Sequence, residues 1–346
     1  MYMSKKQRGL FDEQDKLERI SKLGDPLEKL NASIEWPLFR PVLNNALRKE
    51  AQGPGGRPPF DYVMMFKILV LQEYFGLSDE QAEFQITDRL SFMRFLGLHI
   101  WDKVPDCKTI WHFREQLKEG DIIKKLFNIF HEELSRIGMI VNKGKIIDAS
   151  IIEVPVQRNS RDENRQIKEG EVPKDWKKNP DKLSHKDVEA RWVTKYREDQ
   201  YGYKNSIKVD ARKKFIDDYT VTDAAVHDSI PGKTLLNKKD RDQRLHGDGA
   251  YAGEEFANEV SRCSMINKIH EKGCRHRPLT DRQKQRNKRK SKVRVRVEHI
   301  FGFMKQVTGN VIIRTIGMTR AKVKIGIMNL TYNLFRYAFY YKASRA

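Results

Sequence analysis

The 346-residue sequence predicts a mixed α/β unit preceded by an all-α region and closed by a long helix. Three observations predict it. Residues 57–140 hold successive apolar segments bounded by Ser, Pro and Gly, the punctuation of short helices. At Lys145 the pattern changes to KIIDASII, β-branched and apolar on both faces as a covered central strand is. From there a strand, a hairpin, a helix, a strand, a helix, a strand and a carboxylate-bearing helix follow in turn, which is a mixed α/β order.

Composition narrows the partners. Lys and Arg number 67 against 47 Asp and Glu, giving a net charge of +20 and a pI near 9.7. That excess points to a polyanion, with nucleic acid ahead of an anionic membrane. The longest apolar run, Val63 to Leu71, is interrupted by Lys67 and is too short to span a bilayer, and the charged start MYMSKKQRGLFDEQ is no signal peptide. A cytoplasmic, nucleoid-associated bacterial protein is expected. Cys107, Cys263 and Cys274 are far apart with no CxxC, which fits a reducing compartment and argues against structural zinc.

In chain order, residues 1–56 read as a flexible, polar N-terminal arm, with GPGGRPP at 53–59 as a non-helical joint. Residues 57–140 read as a helical DNA-binding or dimerisation domain. Its first helix is expected from Pro58, because proline suits a first turn, to Gly76. Ser78 with Gln81 forms a capping box for the second helix, SFMRFLG a third ending at Gly97, PDCKTIWHFREQL a fourth, and Ile122 to Ile137 a fifth. A helix-turn-helix and a packing module both fit this set. Residues 141–312 form the α/β unit. Within it, 157–200 is a solvated charged insertion, expected to be mobile without ligand, in which Trp176 and Trp192 either stack on bases or pin the insertion to the body. YGYKNSIKVDA and FIDDYTVTDAAV make a hairpin turning at Arg212 to Lys214. Helices are expected at Pro231 to Lys239 and Glu254 to Cys263, and strands at QRLHGDGAY and SMINKIH. A basic segment over 275–292 runs into the late helix: Arg275 to Arg296 carries 11 Lys or Arg in 22 residues. Residues 313–346 close the chain with a helix over Thr319 to Tyr341, apolar enough that it must pack.

Three acids stand out. Asp148 lies mid-strand, where an isolated carboxylate is costly unless paired, protonated or bound to a cation. Asp248 lies between two glycines at a strand end, exposed to a ligand or simply serving a turn. Glu298 lies on VRVRVEHIFGFMKQ, residues 293–306. At 100° per residue this helix groups Arg294, Glu298 and Lys305 within roughly 40° and sets Val293, Val297, Ile300 and Met304 apart as an apolar stripe. Three carboxylates from three elements, meeting in a basic groove, would need divalent cations, and oxygen-only ligands favour Mg²⁺ or Mn²⁺. Two such ions suit displacement at phosphorus.

The succession IIDASII, HGDGAY and RVRVEHIFGFMK resembles the DDE transposases of the insertion-sequence-five (InsH-like) family, from about residue 57 to residue 336. VPDCKTIWHFREQL, YGYKNSIKVD and DAAVHDS at 223–229 add to the resemblance. The family signature of Tyr, two residues, Arg, three residues, Glu, six residues, Lys is met at Arg294, Glu298 and Lys305, with Ser291 in the tyrosine position. The resemblance implies an RNase H-like mixed β-sheet flanked by helices. It implies Asp148, Asp248 and Glu298 as catalytic ligands of two Mg²⁺ ions, with Mn²⁺ as a substitute, and Arg294 and Lys305 on phosphates. Arg289, Lys290, Lys292 and Arg296 join them as expected DNA contacts. It further implies cleavage at insertion-sequence ends, 3′-OH strand transfer into double-stranded target DNA, and a homodimer when two ends are paired. A catalytically silent repressor and an RNase H-like nuclease without strand joining are the alternatives.

Overall fold

The computed structural model describes residues 12–48, 58–195, 197–308 and 312–343. The chain divides into two compact units, one of residues up to Gln116 with those from Leu334 onward, the other Leu117–Asn333. Among the described residues no helix is long and apolar enough to cross a membrane.

The first unit contains helices α1 (Asp12–Leu23), α2 (Pro26–Ser33), α3 (Arg40–Leu47), α4 (Tyr62–Phe75), α5 (Asp79–Asp88), α6 (Leu90–Leu96) and α7 (Cys107–Gln116). Its first three helices correct the expected arm. Residues 12–47 are folded because Leu27, Leu30, Trp36, Phe39 and Leu43 are all buried, and Arg94 ties α1 and α2 through Ser21, Asp25 and Glu28. The rest of the arm, with most of GPGGRPP, lies outside the described residues. Helix α4 starts at Tyr62 rather than Pro58, since Asp61 accepts the Met64 N–H at 2.9 Å as N-cap. It is apolar all round because it is the core helix. Gly76 and Gly97 end α4 and α6 in the left-handed conformation, and the Ser78–Gln81 capping box forms as expected.

The second unit includes α8 (Ile122–Arg136), a helix expected to lie in the helical domain. It belongs with the sheet because Phe127 packs edge-on against Tyr219 and His131 hydrogen-bonds Asp217. The strands are β1 (Lys145–Glu153), β2 (Arg191–Lys195), β3 (Glu198–Asp210), β4 (Ile216–Asp223), β5 (Arg244–His246) and β6 (Ile266–Asn267). Strand β3 runs antiparallel to β1, β2 and β4, while β5 and β6 add in parallel beyond β1. Antiparallel β4, β3 and β1 followed by parallel β5 and β6 is the RNase H-like arrangement. Gly202 lets β3 approach the end of β1 closely: a Cβ there would lie 2.2 Å from the Ile152 carbonyl oxygen.

Side chains alternate across β1. Ile147 enters a core with Leu235, Leu245, Tyr251, Phe256 and Val260, built with α12 (Ser229–Leu235) and α13 (Glu254–Arg262). On the other face, Asn205 and Asn329 exchange two buried amide hydrogen bonds, and Asn333 pairs with both backbone groups of Ile216, docking the first part of α16 (Met318–Ala343). Lys145, Lys208, Asp217 and Asp240 form a buried ion cluster, an acceptable state for lysine only because each charge is paired.

The 157–200 segment carries more structure than a solvated insertion requires: α9 (Arg161–Lys168), α10 (Lys174–Lys177), α11 (Pro180–Ser184), β2 and the start of β3. Trp176 is fully buried, donates to Glu163, and is flanked by Lys182 and Lys186. Asp187 is buried too, accepting from Tyr203 and from the Glu189, Ala190 and Gly317 N–H groups. Trp192 remains half-exposed.

Candidate active site

The sheet register brings the two aspartates together. Ile146 of β1 pairs with His246 of parallel β5, so Asp148 and Asp248, each two residues farther on, stand side by side where β5 ends. Gly247 makes the exit tight: a Cβ there would sit 3.1 Å from Ile147 and Tyr251 side-chain atoms. The Asp248 side chain then accepts the Ala250 N–H at 2.9 Å, capping a single 3-10 turn, so it serves the local turn.

The Asp148 side chain is 14% exposed. Burial pushes its pKa up to about 6; Asp248 adds to the rise, while the Ala149 N–H and Arg294 oppose it. Its Oδ1 accepts from Ala149 at 2.9 Å and its Oδ2 from Arg294 Nη1 at 2.9 Å.

Glu298 arrives from the basic helix. The segment read as one helix over 293–306 divides into α14 (Asp281–Arg294), one 3-10 turn at Val295–Val297, and α15 (Glu298–Thr308). Thr280 and Gln283 start α14 with a capping box that the string TDRQ already spells. The side-chain grouping survives the break: Val297, Ile300 and Met304 are buried, and Arg294 Nη2 reaches Glu298 Oε1 at 3.2 Å. One guanidinium thus spans Asp148 and Glu298. Lys305 is exposed on the following turns.

The remaining cations divide into two sets. Lys290 donates to the Ile269 carbonyl at 2.7 Å and pairs with Glu271 at 3.4 Å, and Arg296 donates to the Ala211 carbonyl at 2.6 Å, so they hold α14 and the 3-10 turn after it to the strands and their loops. Arg289 and Lys292 are exposed and form no ion pair or hydrogen bond among the described residues. Ser291, in the signature's tyrosine position, donates to the Asn287 carbonyl and lies 3.3 Å from His270 Nε2. His270 went unnoticed in the sequence. It reaches the site because its N–H bonds the Gly247 carbonyl, continuing the β5–β6 ladder, and burial together with Arg294 and Lys290 depresses its pKa. Tyr251 is a second such residue: its hydroxyl is buried with no hydrogen-bond partner among the described residues, and burial, with Asp148, Asp228 and Asp248 adding, pushes its pKa up.

Among the described residues, no three His, Cys, Asp or Glu side chains stand close enough to hold a metal ion. The donors gathered here are carboxylate oxygens without a thiolate, the donor type that a hard cation takes, and burial holds the Asp148 pKa above the usual carboxylate range.

Comparison with known proteins adds three findings. Residues 15–116 match the family model described as a transposase domain. Residues 142–334, more than half of the chain, match the model described as a transposase DDE domain. A solved piggyBac transposase synaptic complex with hairpin DNA aligns at 13% identity and a TM-score of 0.46, covering 93% of this chain and 76% of that one.

Proposed function

We propose, from the premise that this chain belongs to the DDE transposase family, that it cleaves DNA at insertion-sequence ends and joins the freed 3′-OH to target DNA. The observation that carries this reading is the parallel register of Ile146 with His246, which makes neighbours of Asp148 and Asp248 beside the Arg294–Glu298 pair.

Asp148, Asp248 and Glu298 would hold two Mg²⁺ ions, or Mn²⁺ in their place. Bound there, such ions supply a polarised attacking oxygen and neutralise charge developing at phosphorus. The chain's own groups do the rest. Burial of Asp148 on β1 and the Ala149 N–H fix one carboxylate, and the cap at Ala250 fixes the second. Arg294 and Lys305 would take the phosphates flanking the scissile bond, as positioning contacts that read no base. Water adds to phosphorus and the 3′ oxygen leaves as a hydroxyl; that hydroxyl then adds to a target phosphorus and displaces the target's own 3′ oxygen. The exposed cations of α14 extend the contact along the backbone. Pairing two ends calls for a homodimer, and a DNA substrate places the protein at the nucleoid in the cytoplasm.

The test is cleavage and joining on a duplex carrying the element's terminal repeats, with Mg²⁺. Asp148→Ala, Asp248→Ala and Glu298→Ala each abolish both steps while gel-shift affinity stays within about twofold of wild type. Full activity in any one of them refutes the assignment. Cleavage without joined products would make the protein a nuclease, and binding without nicking would make it a repressor.

A further inference from the structure

We infer that Arg294 is a displaceable countercation: it holds the site together before a divalent cation enters, and cation entry releases it to the DNA backbone. The inference rests on the carboxylate reading above. Arg294 bridges two acids 150 positions apart in sequence, at 2.9 Å to Asp148 and 3.2 Å to Glu298, and among the described residues neither acid forms another ion pair. Without it, acids drawn together by the sheet and by the start of α15 would repel one another in a half-dry site.

Two features mark the bridge as exchangeable rather than final. The Nε of Arg294 is buried without an acceptor, so the guanidinium uses only part of its donor fork in this position. Its second arm rests on Glu298, whose side chain is 57% exposed, where an ion pair is weak. A guanidinium cannot discharge by losing a proton, so a cation that takes the carboxylates must push it aside. The freed fork matches a phosphate in geometry and charge. By linkage, cation binding and DNA binding then strengthen each other by the same factor.

The experiment uses the full chain with Ca²⁺ as a probe and calorimetric titration as the readout, without DNA. Arg294→Gln is expected to bind Ca²⁺ about tenfold more tightly than wild type, within the usual range of site coupling. Arg294→Lys, which keeps the charge, is expected to stay near wild type. Ca²⁺ should also raise wild-type affinity for DNA by a larger factor than it raises that of Arg294→Gln. Unchanged or weaker Ca²⁺ binding by Arg294→Gln overturns the inference. Should that variant fail to fold, the wild-type arginine Nε resonance that is missing from Arg294→Lys must shift with the Ca²⁺ titration, and a resonance that stays put overturns it equally. Asp148→Asn separates the two readings. If it binds Ca²⁺ as wild type does, the carboxylate site itself is wrong; if it loses Ca²⁺ while Arg294→Gln gains nothing, only the role of Arg294 fails.

Discussion

The Asn205–Asn329 pair offers the sharpest test of how the sheet unit is held together. Both residues are fully buried and exchange hydrogen bonds of 2.8 and 3.1 Å, joining β3 to α16 on the face of β1 from which Asp148 also projects. Asn205→Leu removes one partner and strands both the amide nitrogen and the carbonyl oxygen of Asn329. At about 1–3 kcal/mol for each of these two buried unsatisfied polar groups, the expected loss is about 2–6 kcal/mol. Asn329→Leu should cost a similar amount for the mirror-image reason. The double variant strands nothing and buries two apolar side chains, so it should be more stable than the sum of the single losses implies, with a coupling of about 2–3 kcal/mol. Urea unfolding of the four proteins, followed by circular dichroism, measures the cycle. Strict additivity would refute the reasoning, because it would mean that neither amide depends on the other.

Two further outcomes are expected. Lys288→Gln, Arg289→Gln and Lys292→Gln together remove three exposed charges from α14, so the slope of log affinity for DNA against log salt should become shallower by about 3, on duplexes of any sequence. An unchanged slope would show that these side chains touch no phosphate. In the helical unit, Lys67 donates to Asn31 and to the Phe95 carbonyl, and burial lowers its pKa from 10.5 to about 8, against the pull of Asp61. Between those two pH values the unfolded chain holds more protons than the folded one, so stability should rise with pH across that window. Denaturant midpoints for wild type and Lys67→Met, read at pH 7.5 and pH 10, check this: the rise should vanish in the variant.

Much of the site was legible in the amino-acid order. KIIDASII marks a covered strand with an acid in it, the glycines around Asp248 mark a tight strand exit, and the four-residue step from Arg294 to Glu298 places both on one helical face. Gly76, Gly97 and the Ser78–Gln81 box likewise end or start helices where they stand, since helix punctuation is settled by hydrogen bonds within a turn. The sparse apolar positions of residues 12–47 and of the 157–200 segment hid their folding. Leu27, Trp36, Phe39 and Trp176 become core only against partners that local period does not announce.

The sequence by itself determined the helix starts and stops of the 58–97 segment, the strand around Asp148 and the basic character of the late helix. Only the tertiary structure decided that parallel pairing of β1 with β5 brings Asp148 beside the strand exit at Asp248, that Arg294 reaches 146 residues back to Asp148, and that Lys290 and Arg296 turn inward to backbone carbonyls, Lys290 to Glu271 as well. It also decided that His270 stands behind Ser291, and that Lys145 and Lys208 are buried with Asp217 and Asp240. The physical reason is range. Caps and periodicities act over three or four residues, whereas pairing among β1, β3 and β5 is set by the register at which whole faces bury together, and a one-residue slip would turn Asp148 to the other face.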